Sequence, residues 1–177
     1  LRYVEFGSNL GSGIAGMTSP GKIQISSMDP ATIRHEIAHN YHFTGPYDGK
    51  FQAEWQSVAI APRSQLIRDL GGGRVQYLPG DQGFAWGYGS QSWMEDVATY
   101  GDLIYTPSRW TKFVSNSHPY HKIYRGKLAV LRKYGFITQG EYSSIFRTAN
   151  SATGSSLDYS TSSLNQYIRE AQQSRRG

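Results

Sequence analysis

The 177-residue chain contains no cysteine, which excludes both disulfide bridges and zinc sites built on thiolates. Apolar residues are also few, at 38%, and no apolar run approaches the roughly 20 residues that span a bilayer. The net charge of +5 comes from scattered basic residues, the densest cluster being Arg175-Arg176 near the end of the chain. We therefore expect no membrane span and no nucleic-acid partner.

Aromatic residues, by contrast, reach 14%, enough to build a sizeable core in a chain of modest apolar content. The 20 glycines predict long loops around a modest set of helices. The length suits one domain over residues 1–177. The chain begins at Leu1 without a basic-then-apolar leader, so we expect a mature or excised domain. The lack of cysteine fits secretion, and we expect a secreted monomer.

The first third of the sequence predicts a strand followed by a capped helix. GKIQIS, residues 21–26, alternates apolar and polar side chains as a half-buried strand does. Asp29 then supplies an N-cap and Pro30 the first helical position, and TGP at 44–46 ends the helix, which should run to about Phe43. GKIQIS fits an ordinary strand after a glycine-rich loop better than it fits an edge strand on which an extended substrate could pair, and both interpretations stay open.

The rest of the chain is predicted to be mainly helical. Helical patterns cover 51–70 and 92–105. Three more helices are predicted: one that ends at Gly135, one that begins with a capping box of Thr138 and Glu141, and one, with the C-terminal tail, over 164–177. The turn-rich 71–83 predicts a short hairpin or loop, and the Ser/Thr-rich 150–163 predicts a loop. The predicted class is α+β, mainly helical with a small early sheet.

Three of the five histidines lie in RHEIAHNYHF, residues 34–43, where His35, Glu36 and His39 form H-E-x-x-H. On a helix, positions i and i+4 lie on one face at roughly 5–6 Å between Cβ atoms, so two imidazoles can bind one ion. Glu36 can then hold and deprotonate a water without binding the ion itself. His42, one turn further along, converges less easily on the same point.

A tetrahedral zinc site with an open position needs a third protein ligand. Glu95, in SWMEDVATYGD on a later helix, can approach the ion from across a cleft, although Ser92 and Glu95 also fit a capping box. Glu54, on the intervening helix, is the main alternative ligand, followed by Asp48 and Asp81.

A metal-bound histidine usually donates its second ring N–H to an acceptor. Asp96, Thr99 and Asp102 follow Glu95 closely, and Thr99 and Asp102 share its helix face. One of these three could orient His35 or His39, and an ordinary solvated or capping role fits each of them equally well; the sequence does not decide between them.

An H-E-x-x-H motif followed by a glutamate helix resembles the gluzincin group of zinc peptidases. Within that group the motifs are similar to those of the anthrax lethal factor catalytic domain and the small Pro-Pro endopeptidases. In those proteins a tyrosine seven residues before the ligand glutamate supports the transition state, and Tyr88 in AWGYGSQSWMED has this spacing from Glu95. The resemblance covers only motifs between Lys22 and Asp102, and it favours Glu95 over Glu54 as the third ligand.

The sequence therefore predicts a zinc-dependent endopeptidase that hydrolyses peptides or proteins with one Zn2+ per chain, held by His35, His39 and Glu95. Glu36 is the predicted general base, and the phenol O–H of Tyr88 would stabilise charge on the carbonyl oxygen. Two alternatives remain open: a zinc amidase acting on cell-wall peptides, and a non-catalytic binding module stabilised by zinc. The intact Glu36 counts against the module, because a structural site has no use for a base.

Overall fold

The computed structural model describes residues 3–7, 10, 15–26, 28–44, 49–59, 66–71, 74–77, 82–104 and 106–175. The chain divides into two compact units, the first comprising Leu1–Tyr47 and Pro62–Asp102 and the second Asp48–Ala61 and Leu103–Gly177. The part of the chain that the structure describes is mainly helical, with a small sheet near the N-terminus, which confirms the predicted α+β class. The prediction of one domain over the whole chain stays a prediction.

The first unit begins with a small sheet in which β1 (Tyr3–Phe6), β2 (Gly16–Ser19) and β3 (Lys22–Ile25) lie in the order β1-β3-β2. β3 pairs in parallel with β1 and antiparallel with β2. Ile23 and Ile25 are each 1% exposed, so the alternation read from GKIQIS reflects a real buried face.

The alternative interpretation of GKIQIS as an edge strand is wrong. β3 lies between β1 and β2 and uses both of its edges for pairing. Within the described ranges, β2 is the outer strand that packs on the first helix. Sequence alternation reports that one face is buried, but it does not report how many neighbours a strand has.

The helix that carries the histidine motif, α1, runs from Pro30 to Thr44 and packs against β2 and β3. Asp29 Oδ2 accepts a hydrogen bond of 2.9 Å from the backbone N–H of Thr32, which satisfies one of the free donors at the helix start. The predicted helix and its cap are thus confirmed. The side chain of His42 lies outside the described residues.

The predicted helix over 51–70 is only half right. α2 ends at Val58 (Lys50–Val58), and β4 (Leu66–Gly71) pairs antiparallel with β5 (Arg74–Tyr77) as a hairpin. A hairpin was predicted from the turn-rich 71–83, but its first strand occupies residues that were predicted to be helical. The pairing partner, rather than local propensity, decides the conformation of 66–71.

The helix α3 covers Trp93–Leu103, of which all but Leu103 belongs to the first unit, and it follows a 3-10 helix at Gly87–Gln91. Ser92 Oγ accepts a hydrogen bond of 3.1 Å from the backbone N–H of Glu95 and caps the helix. A Cβ on Gly101 would lie 3.4 Å from the carbonyl oxygen of Arg34, so α3 runs against the backbone of α1 at this point. This close crossing brings α3 side chains to the histidine motif.

The second unit continues with four α-helices after α2 in its described part: α4 (Pro107–Val114), α5 (His121–Lys133), α6 (Gln139–Thr153) and α7 (Leu164–Ser174). A short 3-10 helix at Thr161–Ser163 precedes α7. The capping box of Thr138 and Glu141 is present as predicted. α4 was not predicted, and α6 extends into the segment predicted as a loop over 150–163. The core of this unit is built from large aromatic side chains that are fully buried, among them Trp55, Trp110, Tyr124, Tyr142 and Phe146.

Formal charge is unevenly divided between the two units. The first has six Lys and Arg against eight Asp and Glu, a net charge of −2, and the second has twelve against five, a net charge of +7. The basic character of the chain therefore belongs to the second unit, whereas the histidine motif lies in a mildly acidic one. No helix in the described ranges is both long and apolar enough to cross a bilayer.

Candidate metal centre

Three side-chain donors of the first unit converge on one point. His35 Nε2 and His39 Nε2 are 3.1 Å apart, and Glu95 Oε2 lies 3.1 Å from the first and 3.3 Å from the second. Among the residues that the structure describes, these three form the cluster that could hold a metal ion. α1 supplies both imidazoles from one face, and α3 supplies the carboxylate from its first turn.

The spacing of these donors fits a small tetrahedral cation. Metal bonds of roughly 2.0–2.1 Å in tetrahedral geometry place neighbouring ligand atoms roughly 3.3 Å apart, close to the three separations seen here. In addition, Glu95 Oε2 is buried and makes no hydrogen bond of normal geometry to any described residue. Two ring nitrogens and a buried carboxylate oxygen at such distances require a positive charge among them, either a proton or a metal ion.

His35 is held from its other side by Asp102. The Nδ1 atom lies 3.1 Å from Asp102 Oδ1, and the indole N–H of Trp86 donates to Asp102 Oδ2 at 3.1 Å. A hydrogen bond from Nδ1–H to the carboxylate leaves Nε2 to face the cluster. Of the three acceptors predicted for this task, the structure selects Asp102.

The charges around the cluster move two pKa values in opposite directions. Burial would lower the pKa of His35, but contacts with Asp102 and Glu95 outweigh burial and raise the pKa to about 10. Burial would raise the pKa of Glu95, but contacts with His35 and His39 lower it to about 2. Without a metal, a proton on His35 therefore supplies the positive charge that the donor set requires at neutral pH.

The other candidate ligands lie elsewhere or outside the described residues. Both carboxylate oxygens of Glu54 lie 2.8 Å from Lys133 Nζ within the second unit, so Glu54 is already engaged in an ion pair. Asp48 and Asp81 lie outside the described residues. Thr99 Oγ1 donates to the carbonyl oxygen of Asp96, on its own helix. Glu95 is thus the carboxylate that the structure places with the two histidines.

Glu36 lies beside the cluster and is nearly buried, with 5% of its surface exposed. Thr18 Oγ1, on β2, donates a hydrogen bond of 2.6 Å to Glu36 Oε2. A Cβ on Gly16 would lie 2.5 Å from Glu36 Cγ and from Oε1, so the β2 backbone fits directly against this carboxylate only because residue 16 is glycine.

Tyr88 lies in the 3-10 helix before α3, with its ring centroid 5.9 Å from that of His35. The ring stacks on Trp86 at a centroid distance of 5.3 Å. A Cβ on Gly89 would lie 2.5 Å from Thr99 Oγ1, so the glycine lets this segment pack tightly on α3. The structure thus places Tyr88 next to His35, and its catalytic role stays a prediction.

Two cavities of the first unit open beside the cluster. One has a volume of about 430 Å³ and is lined by Trp86, Asp29 and Thr32 among others, and the second, of about 270 Å³, is lined by Met17, Thr18 and Met94 among others. Both are also lined by Gly16, His35, Glu36 and Tyr88. The walls of both cavities therefore include the motif residues His35 and Glu36.

Two residues of this site were not found by sequence reasoning. Trp86 lies in the same AWGYGSQSWMED stretch as Tyr88, but a lone tryptophan carries no spacing signal. Thr18 precedes the motif helix and reaches it only through the packing of β2 on α1.

No protein-family model, curated protein or solved structure matches this chain.

Proposed function

We propose that this chain is a zinc-dependent endopeptidase of the gluzincin type. The observation that carries the proposal is the convergence of His35 Nε2, His39 Nε2 and Glu95 Oε2 within 3.1–3.3 Å of one another. Two imidazoles and one carboxylate are a donor set used by catalytic zinc sites, which keep a fourth position open for water or substrate. A purely structural zinc site closes all four positions with protein ligands.

Zinc bound at this site would polarise the scissile carbonyl and lower the pKa of water towards about 7. Glu36 follows His35 directly in the motif and would lie in reach of that water, and its carboxylate is held beside the cluster by Thr18. It would accept the proton of the attacking water and later donate it to the leaving amine. With its Nε2 on the metal, His35 would be a neutral imidazole, and Asp102 orients that ring by accepting its Nδ1–H.

Tyr88 and β2 provide the remaining groups that peptide hydrolysis needs. The phenol of Tyr88, beside His35, can donate a hydrogen bond to the oxygen on which negative charge develops. β2, the outer strand beside α1, contributes Gly16, Met17 and Thr18 to the cavity wall, so an extended substrate backbone could pair along it. Secretion and a monomeric state stay predictions.

The test compares the parent protein with Glu36→Gln, each loaded with zinc and assayed for metal content. We expect about one zinc per chain in both proteins, and a loss of peptide hydrolysis of about 10²–10⁴-fold in the variant, since the amide cannot accept a proton. Substrates should include casein, a peptide library and peptidoglycan. Cleavage of peptidoglycan alone would favour the amidase, and equal hydrolysis by parent and Glu36→Gln would contradict the mechanism.

A further inference from the structure

The hydroxyl of Thr18 has two acceptors within reach, both on Glu36. Its Oγ1 atom lies 2.6 Å from the carboxylate Oε2 and 3.0 Å from the backbone carbonyl oxygen. A hydroxyl has one proton to donate, and a distance of 2.6 Å is typical of an O–H donating to an ionised carboxylate. The shorter and charged contact therefore receives the proton, and Oε2 is the oxygen of Glu36 that is engaged.

The backbone of the same strand limits where the carboxylate can go. A Cβ on Gly16 would come within 2.5 Å of Glu36 Oε1 and 2.7 Å of Cδ. Gly16 and Thr18 are both half-buried, whereas Met17 between them is exposed, as expected for i and i+2 positions on the face that meets α1. On the face that meets α1, β2 thus contacts Glu36 with the backbone of Gly16 and with the hydroxyl of Thr18.

We propose that Thr18 is a positioning residue for Glu36, and this inference rests on the proposed function. Its hydroxyl fixes Oε2, so that Oε1 is the oxygen that takes the proton from water. A glutamate side chain has three rotatable bonds, and a base must stay within hydrogen-bond reach of the proton that it removes. Because β2 would also pair with the substrate backbone, one strand sets the position of both the base and the peptide.

The inference is tested with Thr18→Val, which removes the hydroxyl at nearly constant shape, and Thr18→Ser, which restores it. Thr148→Val, on α6 of the second unit, is the matched control for the same chemical change. Crystal structures of the zinc-loaded proteins, their zinc content, and kcat and KM for a peptide substrate are compared. The position of Glu36 is a readout that does not depend on activity.

We expect Thr18→Val to keep its zinc and to show the Glu36 carboxylate moved away from its parent position. Its kcat should fall about 10- to 100-fold with KM within about twofold of the parent, since substrate binding does not use the hydroxyl. Thr18→Ser should keep the parent position of Glu36 and recover most of kcat. Thr148→Val should match the parent.

Three results would overturn the inference: an unmoved Glu36 in Thr18→Val, a Thr18→Ser that behaves like Thr18→Val, or loss of zinc together with kcat in Thr18→Val. The last result would show a structural role for Thr18. If the parent protein hydrolyses no peptide, the proposed function fails, and the position of Glu36 in the two variants still decides whether Thr18 holds it.

Discussion

His35 Nδ1 lies 3.1 Å from Asp102 Oδ1, a contact between residues 67 positions apart in the chain. Asp102 also accepts a hydrogen bond from the indole N–H of Trp86, and this second contact holds the carboxylate in position beside the imidazole. The contact orients His35 with Nε2 towards His39 and Glu95, and it links the last turn of α3 to the motif helix.

Replacing Asp102 should therefore weaken metal binding without removing a ligand. We expect Asp102→Ala to lower zinc affinity by about 10- to 100-fold, the usual effect of losing a carboxylate behind a histidine ligand. Trp86→Phe keeps the aromatic ring but loses the N–H donor, and its effect should be smaller. Competition with a chromophoric chelator measures both, and an Asp102→Ala protein with parent affinity would refute the orienting role.

The third ligand can be identified by metal analysis of two glutamate variants. Glu95→Ala should lose its zinc, because Glu95 Oε2 lies 3.1 and 3.3 Å from the two histidine nitrogens. Glu54→Ala should keep it, since that carboxylate pairs with Lys133 in the second unit. The Glu54 pair is partly exposed, so we expect its loss to cost no more than about 1 kcal/mol in urea unfolding. Retained zinc in Glu95→Ala and lost zinc in Glu54→Ala would reverse the assignment.

Zinc binding at pH 7 should release about one proton per chain. In the metal-free protein the pKa of His35 is raised from 6.5 to about 10, so the ring is protonated at pH 7 and must lose that proton to bind a metal. Calorimetric titrations in two buffers of different ionisation enthalpy give the number released. Zinc affinity should increase as the pH rises towards about 10, and binding without proton release would contradict this state of His35.

The stability of the metal-free protein should depend on pH through the same two groups. The raised pKa of His35 stabilises the fold fully below about 6.5, and this stabilisation is lost as the pH rises through about 10. The lowered pKa of Glu95 stabilises the fold above about 4.5, and this is lost as the pH falls through about 2. The free energy of unfolding, measured with urea in the presence of a chelator, should fall less steeply between about pH 6.5 and pH 10 in His35→Gln than in the parent.

Tyr88→Phe should separate catalysis from metal binding. The ring would still stack on Trp86, but no O–H would remain to donate to the developing oxyanion. We expect an unchanged zinc content and a kcat lower by about 10- to 100-fold, with a smaller change in KM. Tyr159→Phe, a half-exposed tyrosine of the second unit, is the control for the substitution itself. A kcat equal to that of the parent would remove Tyr88 from the mechanism.

The features that sequence reasoning predicted correctly are those set by neighbours in the chain. The α1 helix follows from Asp29 and Pro30 at its start, and the alignment of His35 with His39 follows from the helical repeat. α4 was missed, although Pro107 at its first position and the i, i+3, i+4 spacing of Trp110, Phe113 and Val114 are local signals that could have revealed it.

The features that it predicted wrongly, or left open, depend on partners distant in sequence. The segment Leu66–Gly71 is a strand because it pairs with β5, and β3 is central because β1 adds to its free edge. Asp102 could be chosen over Thr99 only once the crossing of α3 and α1 at Gly101 was known. The position of a residue in the sequence shows which face of its helix it occupies. It does not show which other element packs against that face.

By itself, the sequence determined that the two imidazoles of His35 and His39 share a helix face, because a helical turn has a fixed repeat. Only the tertiary structure decided which distant acid joins the imidazoles, which group orients His35, and that Thr18 holds Glu36. These three choices depend on how α3 and β2 pack on α1, and packing is the sum of many weak contacts that no local pattern records.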